Sequence, residues 1–148
     1  MKKFLLMLIA CMMVGMSAFA QSNAGDKIIG TYKAIQDGNV SKVKISKVGN
    51  GYKAQVIWLE EPNNADGTPK TDKKNPDASK RNNPADKIVL ISKVTYDSKS
   101  NTWGNGKIYD PTKGKSFKVE IKFKDDKTLQ VKGSLAIFSQ TVTWTKLD

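Results

Sequence analysis

Through most of the chain, apolar and polar residues alternate with a period of two. In 40–48, Val43 and Ile45 alternate with Lys42, Lys44 and Ser46; in 116–124, Phe117, Val119, Ile121 and Phe123 alternate with Lys118, Glu120, Lys122 and Lys124. Such a period puts one face of a strand in a core and the other in water. Aromatic and β-branched residues between turn signals predict further strands over 28–35, 52–60, 88–96, 102–109, 127–135 and 140–146, giving eight. Gly49, Asn50 and Gly51 join the second and third as a hairpin, because Asn-Gly tolerates positive φ at both central positions. Asp110, Pro111 and Gly114 supply turn chemistry after the fifth, and Asp125 and Asp126 mark the turn before the seventh. The end of the third strand, Val56, Ile57, Trp58 and Leu59, is apolar on both faces. It is therefore expected to pass beneath another part of the chain, with the following segment as the obvious cover.

That segment, 60–87, holds four of the five prolines, several asparagines and almost no aliphatic residues, which excludes a regular strand or helix. Loops beyond roughly 12 to 15 residues are uncommon in compact domains and tend to be lids, binding loops or disordered. Its charges balance, with Glu60, Glu61, Asp66, Asp72, Asp77 and Asp86 against Lys70, Lys73, Lys74, Lys80, Arg81 and Lys87, which permits internal ion pairing. Mostly short connections and no sustained helical periodicity predict an all-β, antiparallel, eight-stranded barrel with one long loop after the third strand. An immunoglobulin-like sandwich competes, but its Greek-key topology needs long crossovers, and only one long connection is visible.

The first twenty residues are expected to be a signal peptide: Lys2 and Lys3, an apolar run from Phe4 to Met16, then Ala18, Phe19 and Ala20 as the small-x-small cleavage pattern. A membrane anchor would need a longer run, roughly 20 apolar residues. A lipoprotein box at Leu8, Ile9, Ala10 and Cys11 is the other alternative, opposed by the short apolar stretch before Cys11 and the absence of a polar tether after it. Cleavage leaves 21–148 as a single domain without cysteine, exported to the periplasm or beyond, with 23 cations against 14 anions and a net charge of +9. This balance favours anionic lipid headgroups or acidic glycans as partners, and export argues against nucleic acid. A solvated lysine surface that discourages edge association accounts for the same charge.

The chain has no histidine, and its one cysteine lies in the leader, so histidine triads, thiol chemistry and the usual zinc sites are excluded from the mature domain. Asp72, Asp77 and Asp110 are the best candidates for carboxylate-based hydrolysis, which needs two carboxylates about 5 to 9.5 Å apart. Against this, Asp110 serves the turn before Pro111 and Asp77 pairs with Arg81. Asp66, Asp72, Asn75 and Asp77 offer oxygen ligands for calcium, but the spacing fits no EF-hand, and Lys70, Lys73 and Lys74 among them repel a cation. No cofactor or metal is expected.

Several residues carry a family resemblance. They are Gly30; Asp72, Asn75, Pro76, Asp77 and Arg81; Trp103, Gly106, Lys107, Ile108, Tyr109, Asp110, Pro111 and Gly114; Leu129, Val131 and Gly133; and Thr141 and Trp144. Together they make the chain resemble the exported bacterial proteins called domain of unknown function 2147 over nearly all of 21–148. The resemblance implies a lipocalin-like, calycin-type barrel and no assigned biochemistry. It also implies a barrel closure between the first and last strands, with Tyr32 where the family usually has tryptophan and Lys146 where it has arginine. Asn83 and Lys87 depart from an expected arginine and glycine in the long loop.

The favoured functional reading is non-enzymatic binding of a small apolar or amphipathic ligand, an anionic group on it being one option, in or at the mouth of the barrel. Trp58, Trp103, Tyr109 and Trp144 are the candidate lining, and plain core packing explains each of them as well. Asn75 and Arg81 at the rim suit a carboxylate or phosphate. With Asp77 and Asp110, whose carboxylates Arg81 would alternatively tie down, they complete the candidate set. A protein that touches anionic membrane or glycan through its basic surface, without a pocket, is the second class.

Overall fold

The computed structural model describes residues 24–148; the expected signal peptide lies outside the described residues. The strands are β1 (Gly30–Gln36), β2 (Asn39–Val48), β3 (Gly51–Leu59), β4 (Val89–Asp97), β5 (Thr102–Asp110), β6 (Lys115–Asp125), β7 (Thr128–Leu135) and β8 (Phe138–Lys146). Each pairs antiparallel with the next, and β8 returns to β1, so the sheet closes as an eight-stranded up-and-down barrel. Every predicted strand is present, with limits that differ by two residues at most. Ile28 is not part of the first strand. It ends a 3₁₀ turn, Ala24–Ile28, that lies across one end of the barrel.

Two tyrosines and a tryptophan from different strands anchor this turn. The Tyr32 hydroxyl donates to the Ile28 carbonyl (2.8 Å), the Tyr52 hydroxyl to Asp26 Oδ1 (2.6 Å), and the Trp103 indole Nε1 to the Gly25 carbonyl (3.1 Å). Trp103 is fully buried between Tyr96 and Phe123, at ring separations of 4.9 and 5.6 Å. Such rings bury large apolar area while each polar tip finds a partner. This end is closed. The connections β1–β2, β3–β4, β5–β6 and β7–β8 all gather at the opposite end, the mouth.

Two one-residue bulges decide which side chains face the mouth's interior. On β3, Val56 faces Val43, but the next rung pairs Trp58 with Lys42, so β3 carries an extra residue there. On β5, Trp103 faces Ile121 while Gly106 faces Val119. Because side chains alternate along a strand, an inserted residue exchanges the faces of everything beyond it. Trp58 therefore points out of the barrel, and so does Tyr109, whereas Ile108 and Asp110 point in.

Two seams of the barrel are short. Only Thr95–Asp97 of β4 pair with Thr102–Gly104 of β5, and only Tyr32–Ala34 of β1 with Trp144–Lys146 of β8. Towards the mouth β1 and β8 part, whereas β4 and β5 stay side by side, with Gly106 so near the Lys93 carbonyl that a Cβ would collide with it. The long loop crosses the outside of β4 from β3 to β5: Lys87 O accepts from Gln55 Nε2 (3.0 Å), Asp72 Oδ1 from the Tyr109 hydroxyl (2.6 Å), and Thr112 O from Lys74 Nζ (2.8 Å). The β8–β1 gap has no such cover among the described residues.

Candidate functional site

Inside the mouth lies a cavity of about 270 Å³. Ala34, Leu90, Ile108, Phe117, Val131 and Trp144 give it a mostly apolar wall, and Gln36, Asp110, Lys113 and Gln140 stand at its rim. Trp144 is held against Ala34 on β1 and Leu129 on β7 as their ladder partner. Gly133 sits where a side chain would press on Phe117, so its lack of one helps leave the space open. Ile35 and Gln36 of β1 face Phe138, Ser139, Gln140 and Val142 of β8 across the unpaired part of the seam. The cavity thus reaches solvent sideways as well as through the mouth.

Asp110 is the most extensively hydrogen-bonded polar group of the rim. Its Oδ1 accepts from the Thr112 backbone N–H (2.9 Å) and hydroxyl (2.6 Å), its Oδ2 from Gln36 Nε2 (3.2 Å), and its carbonyl from the Gly114 N–H (2.8 Å). The side chain shapes the turn and presents one satisfied oxygen to the cavity edge. Lys113 lies beside it, with Nζ 5.6 Å from the Phe117 ring and 3.5 Å from Gln140 Oε1.

A second space, a polar cleft of about 590 Å³, lies outside the barrel beneath the long loop. Its centre is Asp72, 3 % exposed, whose carboxylate accepts from Tyr109 on one oxygen and from Asn75 Nδ2 (2.8 Å) on the other. Burial, first, and the hydrogen bond to Asp72, second, push the Tyr109 phenol pKa well above its ordinary value. Lys80 and Lys87 line the same cleft. The Asp72 hydrogen bonds make this a clasp for the loop, walled about equally by polar groups and by apolar ones such as Pro76, Pro84, Ile88 and Val89.

Comparison with known proteins agrees with this architecture. The profile of an uncharacterized protein family conserved in bacteria, domain of unknown function 2147, matches residues 30–146. The chain belongs to that family. A search among curated proteins finds no match. Among solved structures, this domain of unknown function 2147 protein is similar to protein HP1028 from the human pathogen Helicobacter pylori, described as belonging to the lipocalin family. The TM-score is 0.64 and the identity 24 %, over 81 % of this chain and 82 % of that one. At that identity the likeness establishes the fold, a lipocalin-like barrel.

The domain of unknown function 2147 chain distributes its expected site residues over four places. Trp144 and Asp110 meet at the cavity. Trp58 does not line it: the bulge in β3 turns the ring outward, 42 % exposed, beneath Lys42 Nζ at 4.8 Å, and the loop expected to cover the end of this strand meets it only at Gln55 and Val56, leaving Ile57 and Trp58 exposed. Trp103 is interior but belongs to the closed end. Tyr109 faces outward to Asp72 because of the β5 bulge. Asn75, Asp77 and Arg81 all lie in the loop, away from the cavity. Arg81 Nε donates to the Asn75 carbonyl (2.8 Å), while Asp77 Oδ1 accepts from Ser79 N–H (3.0 Å) and Oγ (2.7 Å). The expected Arg81 pairing with Asp77 or Asp110 is replaced by this backbone contact. The Ser79 hydroxyl, followed by its N–H, holds the Asp77 carboxyl below its usual range.

Asp72 and Asp110 do not share a space, since Tyr109 and Asp110 alternate to opposite faces of β5. Asp66 is likewise occupied locally, by the Thr68 N–H and hydroxyl. Tyr32 and Lys146 are ladder partners across the closing seam. The ammonium donates to the Lys27 carbonyl (3.4 Å), and the cations over rings at this end are Lys27, 5.6 Å from Trp103 and 5.4 Å from Phe123, and Lys47, 5.9 Å from Tyr52. Gln36, Lys113, Phe138 and Gln140 are cavity residues that the sequence pattern did not single out. Their common signal is position: each lies within three residues of a turn at the mouth end.

Proposed function

We propose that the protein is an exported, non-enzymatic binding barrel whose mouth cavity takes a small apolar molecule or the apolar end of an amphipathic one. The single observation that carries this reading is an apolar cavity of about 270 Å³ left open in the upper half of a barrel whose lower half is filled. Small barrels either fill their interior with side chains or hold one small ligand; this one does each in a different half. Burial of a ligand there draws on roughly 25 cal/mol per Å² of apolar surface, with the polar end left at Gln36, Asp110 and Lys113. An anionic end finds only Lys113 as a cationic partner, because Arg81 is committed to the loop. Export is supported by the pattern of residues 2–20.

The test is titration with the uncharged fluorophore N-phenyl-1-naphthylamine. Saturable binding is expected, weakened more than about tenfold by Val142→Trp, which fills the cavity. A second variant, Ala34→Leu, guards against a folding defect in the first. Equal binding by wild type and both folded variants would sink the proposal.

A further inference from the structure

We infer that the β7–β8 hairpin tip docks on an anionic phospholipid bilayer and sets the open β8–β1 seam against it, so that the cavity's occupant passes between lipid and barrel directly. This rests on the proposed binding role of the cavity. Residues 133–145 contain no charged side chain, the longest such run after residue 25 in a chain that is 26 % charged. The other two-residue reversals use Asp37-Gly38, Gly49-Asn50 and Asp126-Lys127, all polar or glycine-bearing. Here the turn is Ala136-Ile137, flanked by Leu135 and Phe138, and Ala136 takes a φ of 54°, a conformation usually given to glycine or asparagine. Ile137 is 91 % exposed and Phe138 74 %.

An apolar apex of this kind fits the boundary between headgroups and acyl chains, where amphipathic elements bury about 5 to 10 Å deep. Lys113 on the neighbouring turn, Lys132 on β7, and Lys118 opposite Ser134 stand behind it for lipid phosphates. Each such lysine near the surface adds to the attraction for anionic lipid. A second copy of the chain suits the apex less well: a narrow turn does not supply the roughly 1,200 Å² of a stable interface, and a net charge of +9 on residues 21–148 opposes self-association. The seam supplies the second half of the inference. Phe138, the tip partner of Leu135, and Val142 on β8 line the cavity with Ile35 on β1, and the first six residues of β8 make no ladder pairs with β1.

The experiment uses the protein as its host processes it from the full coding sequence. Co-sedimentation is measured with vesicles of equal phosphatidylglycerol and phosphatidylcholine, and with phosphatidylcholine alone. We expect binding to the mixed vesicles that fades with salt and falls more than about tenfold in the double variant Leu135→Ser and Ile137→Ser, neither residue lining the cavity. Transfer of an anthroyloxy fatty acid from vesicles to protein should accelerate with vesicle concentration and slow in the double variant. Unchanged vesicle binding in the double variant, no vesicle binding at all, or a dimer that the double variant dissolves overturns docking. Reporter binding from water separates the two readings. Intact reporter binding beside tip-independent vesicle binding overturns docking and leaves the cavity reading standing; absent reporter binding beside tip-dependent vesicle binding upholds docking and overturns the cavity reading.

Discussion

At the residue scale, Asp72 shows how one buried charge organises a long irregular segment. Its carboxylate would be costly under the loop without donors, and Tyr109 and Asn75 supply one to each oxygen. Removing one donor costs more than the hydrogen bond is worth, because the oxygen stays buried. Tyr109→Phe should therefore lower stability by about 1 to 3 kcal/mol in urea denaturation and speed proteolysis within residues 60–87. A loss too small to measure, with protease resistance unchanged, would mean that the clasp is not what holds the loop. The sequence marked Asp72 and Tyr109 separately, as a loop carboxylate and a strand aromatic. It did not pair them, because 37 residues separate them and only the tertiary register of β5 brings them together.

At the element scale, alternation made all eight strands legible, because one buried face per strand is a local property of sequence. Bulges are not. An extra residue in β3 and another in β5 leave the hydrophobic pattern of each strand nearly intact while exchanging the faces beyond it, and this moved Trp58 and Tyr109 out of the interior. Trp144, on a strand whose pairing with β7 runs without a shift, kept its inward face. Ile28 was misread for a related reason: two β-branched residues before Gly30 resemble a strand start, yet Ile28 is used to plug the barrel's end. The β5–β6 turn carries its own prediction. Gly114 has a φ of 63°, and a Cβ there would collide with the Lys74 carbonyl oxygen of the loop. Gly114→Ala should lower the melting temperature by several degrees, an effect of about 1 kcal/mol or more, whereas Gly38→Ala, also at positive φ but in open space, should cost less. Equal losses would show that backbone strain alone, without the loop contact, sets the cost.

At the scale of the whole molecule, three phenols give the fold a defined response to alkali. Burial, first, raises the Tyr32, Tyr52 and Tyr109 pKa values above the ordinary 10.0; Asp148 adds to it for Tyr32, Asp26 for Tyr52 and Asp72 for Tyr109. Above about pH 10 the unfolded chain releases these protons and the native state keeps them, so stability falls as pH rises; below that pH the contribution is complete. Melting temperature plotted against pH should bend downward near 10, and Tyr52→Phe should make the descent shallower. An unchanged slope would count against Tyr52 as a contributor. The closure between β1 and β8 bears on how the molecule comes into being. Every other strand pair is sequential and can form as a local hairpin, but β1 finds its last neighbour only in Trp144–Lys146. Leu147 N–H to the Thr31 carbonyl (2.8 Å) and Thr31 N–H to Asp148 Oδ1 (3.0 Å) extend that contact to the final two residues. Sealing the barrel is thus the one step that no neighbouring hairpin can make: until β8 is in place, the molecule is an open sheet with one edge of its first strand unclaimed.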